Sequence, residues 1–419
     1  MSMLGLMAIA ALLLLLRQPL LVILLAAIAY AQMVWGSGNL GWIIEDMYVS
    51  LDKELILAIP MFMLCGGVMT KGSTALRLTN MARALVGHLP GGLGVAGILS
   101  SAIFAAISGS SIVTMIAIGS VIYPAMREAG YTNRFSLGTV MSGGTLGIII
   151  PPSIPLILYG LVTETSIVDL FRAGVGPGLL LIGLFGAYAV CVNWRMPTEK
   201  FSLPYLLTTV REGIWALLMP FILLGGIYSG YFSPTEAAAV ALIYSVLIEL
   251  LVHKEIKLGD LKGVILDAAK LGGALFPLIA VALSLNLILI ENRVPDLMVD
   301  LVQGWISSPV SFMIIVNLLL LAVGSVMTTA EAILILAPIL APVAAVYGFD
   351  KVLFGVIMII NLEIGLLTPP VGLNLIVAMS AFKQKFIELV RAAVPFILLM
   401  ILALGMIAVF PQISLIFVR

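Results

Sequence analysis

Two short polar stretches hold the residues best suited to chemistry. The first, SGSSIVT, covers residues 108–114, and the second opens GSVMTTAE at residues 324–331. A glycine-flanked proline pair follows each one: Pro151-Pro152 after Gly147, and Pro369-Pro370 after Gly365. Proline has no backbone N–H, so a helix that meets two of them leaves carbonyl oxygens without their usual donors. Free carbonyls and hydroxyls are hard oxygen ligands that suit a cation such as Na⁺. The breaks at Gly147–Pro152 and Gly365–Pro370, the latter with the Thr368 hydroxyl, are therefore candidate cation ligands. A helix that starts at a Ser or Thr tip offers unpaired amides and a positive dipole end, which attract anions. Ser110, Ser111, Thr328 and Thr329 are candidates to hold a carboxylate there. Asn361 and Asn374 could give oxygens to a cation or donors to a bound molecule. Glu363 could serve a cation or partner a buried polar group. Glu331 is either a functional acid at membrane depth or the cap of the following helix.

These groups must be positioned by helices in lipid. Of the 419 residues, 62% are hydrophobic and 10% charged, and mean hydropathy is +1.21. Soluble domains carry roughly 25% charged residues, so this composition defines a polytopic membrane protein. In such a protein a net charge of +0 says nothing about acidic or basic partners, and what matters is how charge is divided between loops; no nucleic-acid partner is expected. Cys65 and Cys191 lie far apart in apolar sequence, and His88 and His253 fall in loop-like stretches, so no disulfide framework or metal cluster is expected. No phosphate loop, GxSxG or HExxH occurs, which argues against an ATPase or an enzyme. Residues 3–35 read as helix, turn, helix with Arg17 between the runs. A signal peptide would place its positive charge ahead of the apolar stretch.

The proline pairs are related by a shift of 218 (369 − 151), and the same shift takes Pro124 to Pro342, Gly130 to Gly348 and Gly147 to Gly365. It also takes Ser110-Ser111 to Thr328-Thr329. This is an internal duplication, repeat 1 at about 54–195 and repeat 2 at about 272–413. Segment 71–92 carries Lys71, Arg77 and Arg83, whereas its counterpart near 289–310 carries Glu291, Asp296 and Asp300. Segment 161–173 is acidic on balance, and its counterpart near 379–391 is basic. Because cytoplasmic loops are rich in Lys and Arg, equivalent loops lie on opposite sides and the repeat is inverted. The expected threading puts the acidic stretch 36–53 outside and the basic loop 71–92 inside. Re-entrant hairpins at 93–126 and 310–346 and broken crossings at 135–160 and 352–382 follow from it. Plain helices are expected near 54–70, 174–193, 214–231, 235–252, 272–290 and 392–413. Paired broken helices of this kind mark the central binding sites of secondary transporters.

The stretches SGSSIVTMIAIGSVIYPAMREAGY (108–131), GGTLGIIIPPSIPLILYG (143–160) and NLEIGLLTPPVGLNL (361–375) carry a resemblance over nearly the full chain. They resemble the large membrane subunit (DctM type, or M subunit) of tripartite ATP-independent periplasmic (TRAP) transporters. The resemblance implies an all-α, elevator-type ion-transporter fold in the bacterial inner membrane. In it, scaffold helices at about 1–70, 174–290 and 392–419 carry mobile elements at about 93–160 and 310–382. It implies Na⁺ as coupling ion, a small organic acid as cargo, a periplasmic binding protein (P type) and a small four-helix membrane subunit (Q type). Carried over by position, one Na⁺ site uses Ser108, Gly109 and Ser110 with Thr145, Gly147 and Ile150. The other uses Gly324 and Thr328 with Glu363, Gly365 and Thr368. Substrate contacts fall on Ser110, Ser111, Thr328, Thr329 and Asn374. The family often has an acid near the position of Thr328; here Thr stands there and Glu331 follows three residues on. A stand-alone divalent-anion/sodium symporter would share these features, and transport by the chain without partners would mark it. A channel or membrane enzyme would lack saturable, Na⁺-dependent uptake.

Overall fold

The computed structural model describes residues 2–16, 18–36 and 41–418; Arg17 lies outside them. Every regular element among the described residues is helical. The N-terminal pair α1 (Ser2–Leu15) and α2 (Leu20–Val34) leads to α3 (Gly41–Leu51), α4 (Ala58–Lys71) and α5 (Thr74–Val86). Next come α6 (Gly92–Ser108), α7 (Ser111–Glu128), α8 (Asn133–Ile149), α9 (Ile154–Thr163) and α10 (Ile167–Val192). The middle of the chain forms α11 (Leu203–Tyr228), α12 (Pro234–Leu247), which ends in a π turn at Ile248–Val252, and the long α13 (Leu258–Glu291). The second half holds α14 (Val294–Trp305), α15 (Pro309–Gly324), α16 (Thr329–Val346), α17 (Lys351–Leu366), α18 (Leu373–Phe382), α19 (Phe386–Val409) and α20 (Gln412–Leu415).

The 218-residue shift survives as structure. It superposes the bounds of α7 on those of α16, Ser111 to Thr329 and Glu128 to Val346. The left-handed glycines Gly130 (φ 86°) and Gly348 (φ 85°) correspond, and both Pro-Pro bonds are cis. α6 and α7 form one hairpin, turning at Gly109 (φ 58°); α15 and α16 form the other. α8 breaks at Ile150–Ser153 before α9, and α17 breaks at Leu367–Gly372 before α18. The halves interlock, since α9 packs on α16 of the other repeat and α18 packs on α7. Tyr159 on α9 donates its hydroxyl to the Lys351 carbonyl (2.8 Å).

Among the described residues, eight helical segments are long and apolar enough to span a bilayer. In the broken span Asn133–Thr163 the most apolar window is 89% buried, against 28% for α10 and α11. The broken helix is thus interior, while Leu179, Phe221 and other exposed apolar side chains of α10 and α11 face lipid. Trp42, Trp194 and Trp215 are exposed, as interface anchors would be.

Three expectations change. The basic loop 71–92 contains the helix α5, and its counterpart contains α14. Both are amphipathic arms lying beside a hairpin, α5 against α6 and α14 against α16. Thr74, Ala75, Leu78, Thr79 and Ala82 recur on one face of α5 and are buried there, so the helix gains from packing what charge alone does not reveal. The outer segment 36–53 contains α3. α13 starts at Leu258 instead of near 272, so Lys262 and Lys270 extend a helix. The charged stretches around 71–83 and 253–270 also pair with each other and their surroundings: Lys71–Asp260 (3.5 Å), Arg77–Glu255 (3.9 Å) and Arg83–Glu199 (2.5 Å).

Candidate functional site

At the first hairpin, Ser110 is the N-cap of α7 and accepts from the Val113 N–H (3.5 Å). The Ser108 hydroxyl pairs with that of Thr114 (2.7 Å). This tip rests on the broken helix. A Cβ on Gly147 would stand 2.4 Å from the Ser110 carbonyl and 2.7 Å from the Thr114 hydroxyl. Only glycine lets those oxygens so close. In an unbroken helix the carbonyls of Gly147 and Ile148 would accept from residues 151 and 152, both prolines. The Ser153 hydroxyl takes over Ile148 (2.6 Å). The Ser110 carbonyl and the Thr114 hydroxyl, the latter paired with that of Ser108, therefore cluster beside Gly147 and could serve a cation. Thr145 turns its hydroxyl away, donating to the Ser142 carbonyl (2.7 Å) beside Met400, which leaves its carbonyl alone as a possible ligand. Ile150 lies at the break with its side chain against Gly178.

The second tip repeats the plan with different side chains. Thr328 caps α16, accepting from the Glu331 N–H (3.3 Å), while the Glu331 carboxylate accepts from the Thr328 N–H (2.9 Å). This reciprocal capping box gives Glu331 a structural role. Gly324 and Gly365 meet backbone to backbone: a Cβ on Gly365 would stand 2.5 Å from the carbonyl carbon of Gly324. In each repeat the hairpin turn accepts from the backbone just past the prolines. Ile154 N–H donates to Gly109 (3.5 Å), and Gly372 N–H, its equivalent under the shift, donates to Ser325 (3.0 Å). Past the second break the carbonyls of Thr368 and Leu366 converge, at 3.0 and 3.2 Å, on the space a Cβ of Gly372 would fill. Gly372 has φ 54°, so that cradle requires glycine. Thr368 itself returns its hydroxyl to Ile364 (2.7 Å). The two breaks differ in cover, because Pro151 and Pro152 are buried whereas Pro369 and Pro370 are exposed.

Between the tips lies a cavity of about 350 Å³. Ser108, Ser110, Thr328 and Glu331 line one side, and Met63 and Gly66 of α4 with Leu271–Leu278 of α13 close the other. The expected substrate residues separate into two groups. Ser110 and Thr328 face the cavity. Ser111, Thr329 and Asn374 are buried behind it, where Asn374 donates to Ser111 (2.7 Å) and Thr329 donates to Glu363 (3.2 Å). Glu363 has no exposed surface, and one of its oxygens has no hydrogen-bond partner. This network joins both tips to the two halves of the second broken helix, and its free carboxylate oxygen fits a cation ligand. Asn361, the other asparagine considered, donates to Asn317 on α15 (2.6 Å). Thr114, Leu366 and Gly372 were not singled out in the sequence. The first lies inside the SGSSIVT stretch, and the last two flank the second proline pair. A second buried cluster was also missed. Glu249, fully buried in the π turn, accepts from the Thr74 hydroxyl (2.5 Å) beside His253 (3.3 Å).

Duplicated hairpins, duplicated broken helices and a small polar-tipped cavity enclosed by membrane helices define a multi-pass transport protein. Among solved structures, the YdaH transporter of Alcanivorax borkumensis shares the fold, with a TM-score of 0.66 over 90% of each chain at 16% identity. The chain belongs to the family described as "Tripartite ATP-independent periplasmic transporter, DctM component", whose pattern matches residues 7–413. It is 41% identical to the C4-dicarboxylate TRAP transporter large permease protein DctM of Pseudomonas aeruginosa, over 88% of this chain and 87% of that one. It is 35% identical to the ectoine TRAP transporter large permease protein TeaC of Halomonas elongata, over 96% of each. It is therefore a TRAP-type large permease of the bacterial inner membrane and not an enzyme.

Proposed function

We propose that this chain is the Na⁺-driven translocator of a TRAP system, taking up a small organic acid handed over by a periplasmic binding protein and working with a small membrane subunit. One observation carries the reading: a single cavity is bounded by both hairpin tips on one side and by α4 and α13 on the other. That is the arrangement an elevator needs, with doubled binding elements on one wall and a differently built wall to slide along. Na⁺ is bound by Ser108, Gly109, Ser110 and Gly147 at the first break, with the Thr145 and Ile150 backbone beside them. At the second break it is bound by Gly324, Thr328, Gly365, Thr368 and Glu363. The substrate carboxylate lies between the tips, against Ser110 and Thr328, with Ser111, Thr329 and Asn374 holding the tips in register. Two Na⁺ with one monovalent acid move one net positive charge inward, worth about 2.3 kcal/mol per 100 mV.

The test is uptake into proteoliposomes that hold the permease and its small subunit, with binding protein and labelled acid outside. An inward Na⁺ gradient should drive accumulation, and Ser110→Ala with Thr328→Ala should weaken the Na⁺ dependence. Wild-type sodium activation in that double variant would overturn the site. Uptake by the permease alone would favour the stand-alone symporter.

A further inference from the structure

We infer that Glu331 selects the cargo, favouring a small acid that also carries a cationic or hydrogen-bond-donating group over a simple dicarboxylate. This rests on reading the cavity between the tips as the substrate site.

Glu331 is the one ionisable side chain on the cavity wall, and no Lys, Arg or His lines it. The two helix ends that face each other there are therefore electrostatically unlike. α7 begins with Ser110 as cap and no acid in its first turn, so its dipole end is free to meet a carboxylate. α16 begins with Glu331 in its first turn, and that carboxylate cancels the positive end which would otherwise attract a second anion. One oxygen of Glu331 is held by the Thr328 N–H (2.9 Å). The other receives no hydrogen bond from the described residues and remains for a donor on the cargo. A volume of about 350 Å³, with Ser110 and Glu331 both on its wall, admits a molecule the size of a small organic acid. A cargo with its carboxylate at Ser110 thus presents its far end to Glu331. A second carboxylate in that place would meet a like charge with no basic side chain to offset it. An ammonium, amidinium or hydroxyl would form a charge-assisted hydrogen bond.

The test measures ligand-induced thermal stabilisation of the purified permease with its small subunit, using free ectoine (a zwitterion) and free succinate (a dicarboxylate) as probes, in Na⁺ and in K⁺. Ectoine should bind about tenfold or more tightly than succinate. Glu331→Gln should reduce that ratio by about tenfold while keeping the unfolding temperature, because Gln at the third helical position still completes the capping box. Thr74→Val, which removes the hydroxyl donated to buried Glu249 and touches no part of the cavity wall, should lower the unfolding temperature and leave the ratio unchanged, which separates stability from selection. The inference is overturned if succinate binds the wild type as tightly as ectoine, if neither probe binds, or if Glu331→Gln leaves the ratio unaltered. Equal binding in Na⁺ and K⁺ with the expected ratios would instead sink sodium coupling and leave Glu331 as the selector.

Discussion

Gly365→Ala puts the second cation site to its hardest test. A Cβ there would stand 2.5 Å from the carbonyl carbon of Gly324, 2.6 Å from its Cα and 2.8 Å from the Ser325 nitrogen. All three are backbone atoms, so no side chain can rotate aside. Ordinary contact begins at 3.4 Å, so hairpin and broken helix must part by about 0.9 Å (3.4 − 2.5). The Ser325 carbonyl holds the N–H groups of Val371 and Gly372 at 3.2 and 3.0 Å, and that displacement takes both out of hydrogen-bond range. Overpacking costs about 1–3 kcal/mol and each lost hydrogen bond about 0.5–1.5 kcal/mol. A total of about 2–6 kcal/mol raises the Na⁺ needed for half-maximal uptake by about 30-fold or more. The assay is initial uptake against external Na⁺ in proteoliposomes, with size-exclusion chromatography to show a folded complex. Gly183→Ala and Gly405→Ala are the controls, since neither new Cβ meets any atom within 4 Å. A Gly365→Ala transporter with wild-type sodium activation, or a Gly405→Ala transporter equally impaired, would refute the reasoning.

Gly147→Ala should act in the same way at the first site, since its Cβ would meet the Ser110 carbonyl at 2.4 Å. If both sites must fill, each single variant should reduce the steepness of sodium activation as well as its midpoint, which the same titration reads. Thr74→Val removes the hydroxyl that donates to the fully buried Glu249, a loss of about 1–3 kcal/mol. It should lower the thermal midpoint, whereas Thr74→Ser should restore it. An unchanged midpoint in Thr74→Val would show that His253 and the Ser73 N–H suffice. Burial, with Glu291 and Glu45 nearby, holds the Asp46 carboxyl on α3 above its ordinary value. The folded form thus binds that proton more tightly than the unfolded chain, and this contribution is lost as pH rises through and above the usual carboxylate range. Asp46→Asn should therefore raise the thermal midpoint at neutral pH and leave it unchanged at acid pH; the opposite order would contradict the assignment.

The fold could be read in the sequence wherever the backbone had to be broken. Proline and glycine act through covalent geometry, so Pro151, Pro152, Pro369, Pro370, Gly147 and Gly365 located both breaks and the repeat without knowledge of neighbours. The tips were legible for a similar reason, because Ser and Thr at helix starts compete for backbone amides. What could not be read depended on partners distant in sequence. Arm helices α5 and α14 look like charged loops until α6 and α16 are set beside them. Glu249 is unremarkable until Thr74, 175 residues away, is brought to 2.5 Å. The split of the candidates into cavity-facing Ser110 and Thr328 and buried Ser111, Thr329 and Asn374 is of the same kind. Adjacent residues at a helix start point in different directions, and only packing decides which one meets the cavity.

The same packing bears on what moves. Boundaries drawn at 174 and 392 would cut through α10 and α19. Yet α10 packs on α6, α8, α9 and α17, and α19 packs on α8, α17 and α18, while α10 barely touches α11. Each of these helices thus braces a broken helix of the opposite repeat as well as its own. A hairpin that slid without them would leave the buried faces of Phe185 and Phe396, which meet edge-on at 5.4 Å, open to lipid or water. In the elevator proposed above, the fixed wall would be α4, α11, α12 and α13, which pack on one another through α4 and α12. Cross-linking separates the two partitions. A disulfide that ties α10 to α8 should leave transport intact, and one that ties α7 to α4 across the cavity should abolish it. Transport lost in the first case would place α10 in the fixed wall after all.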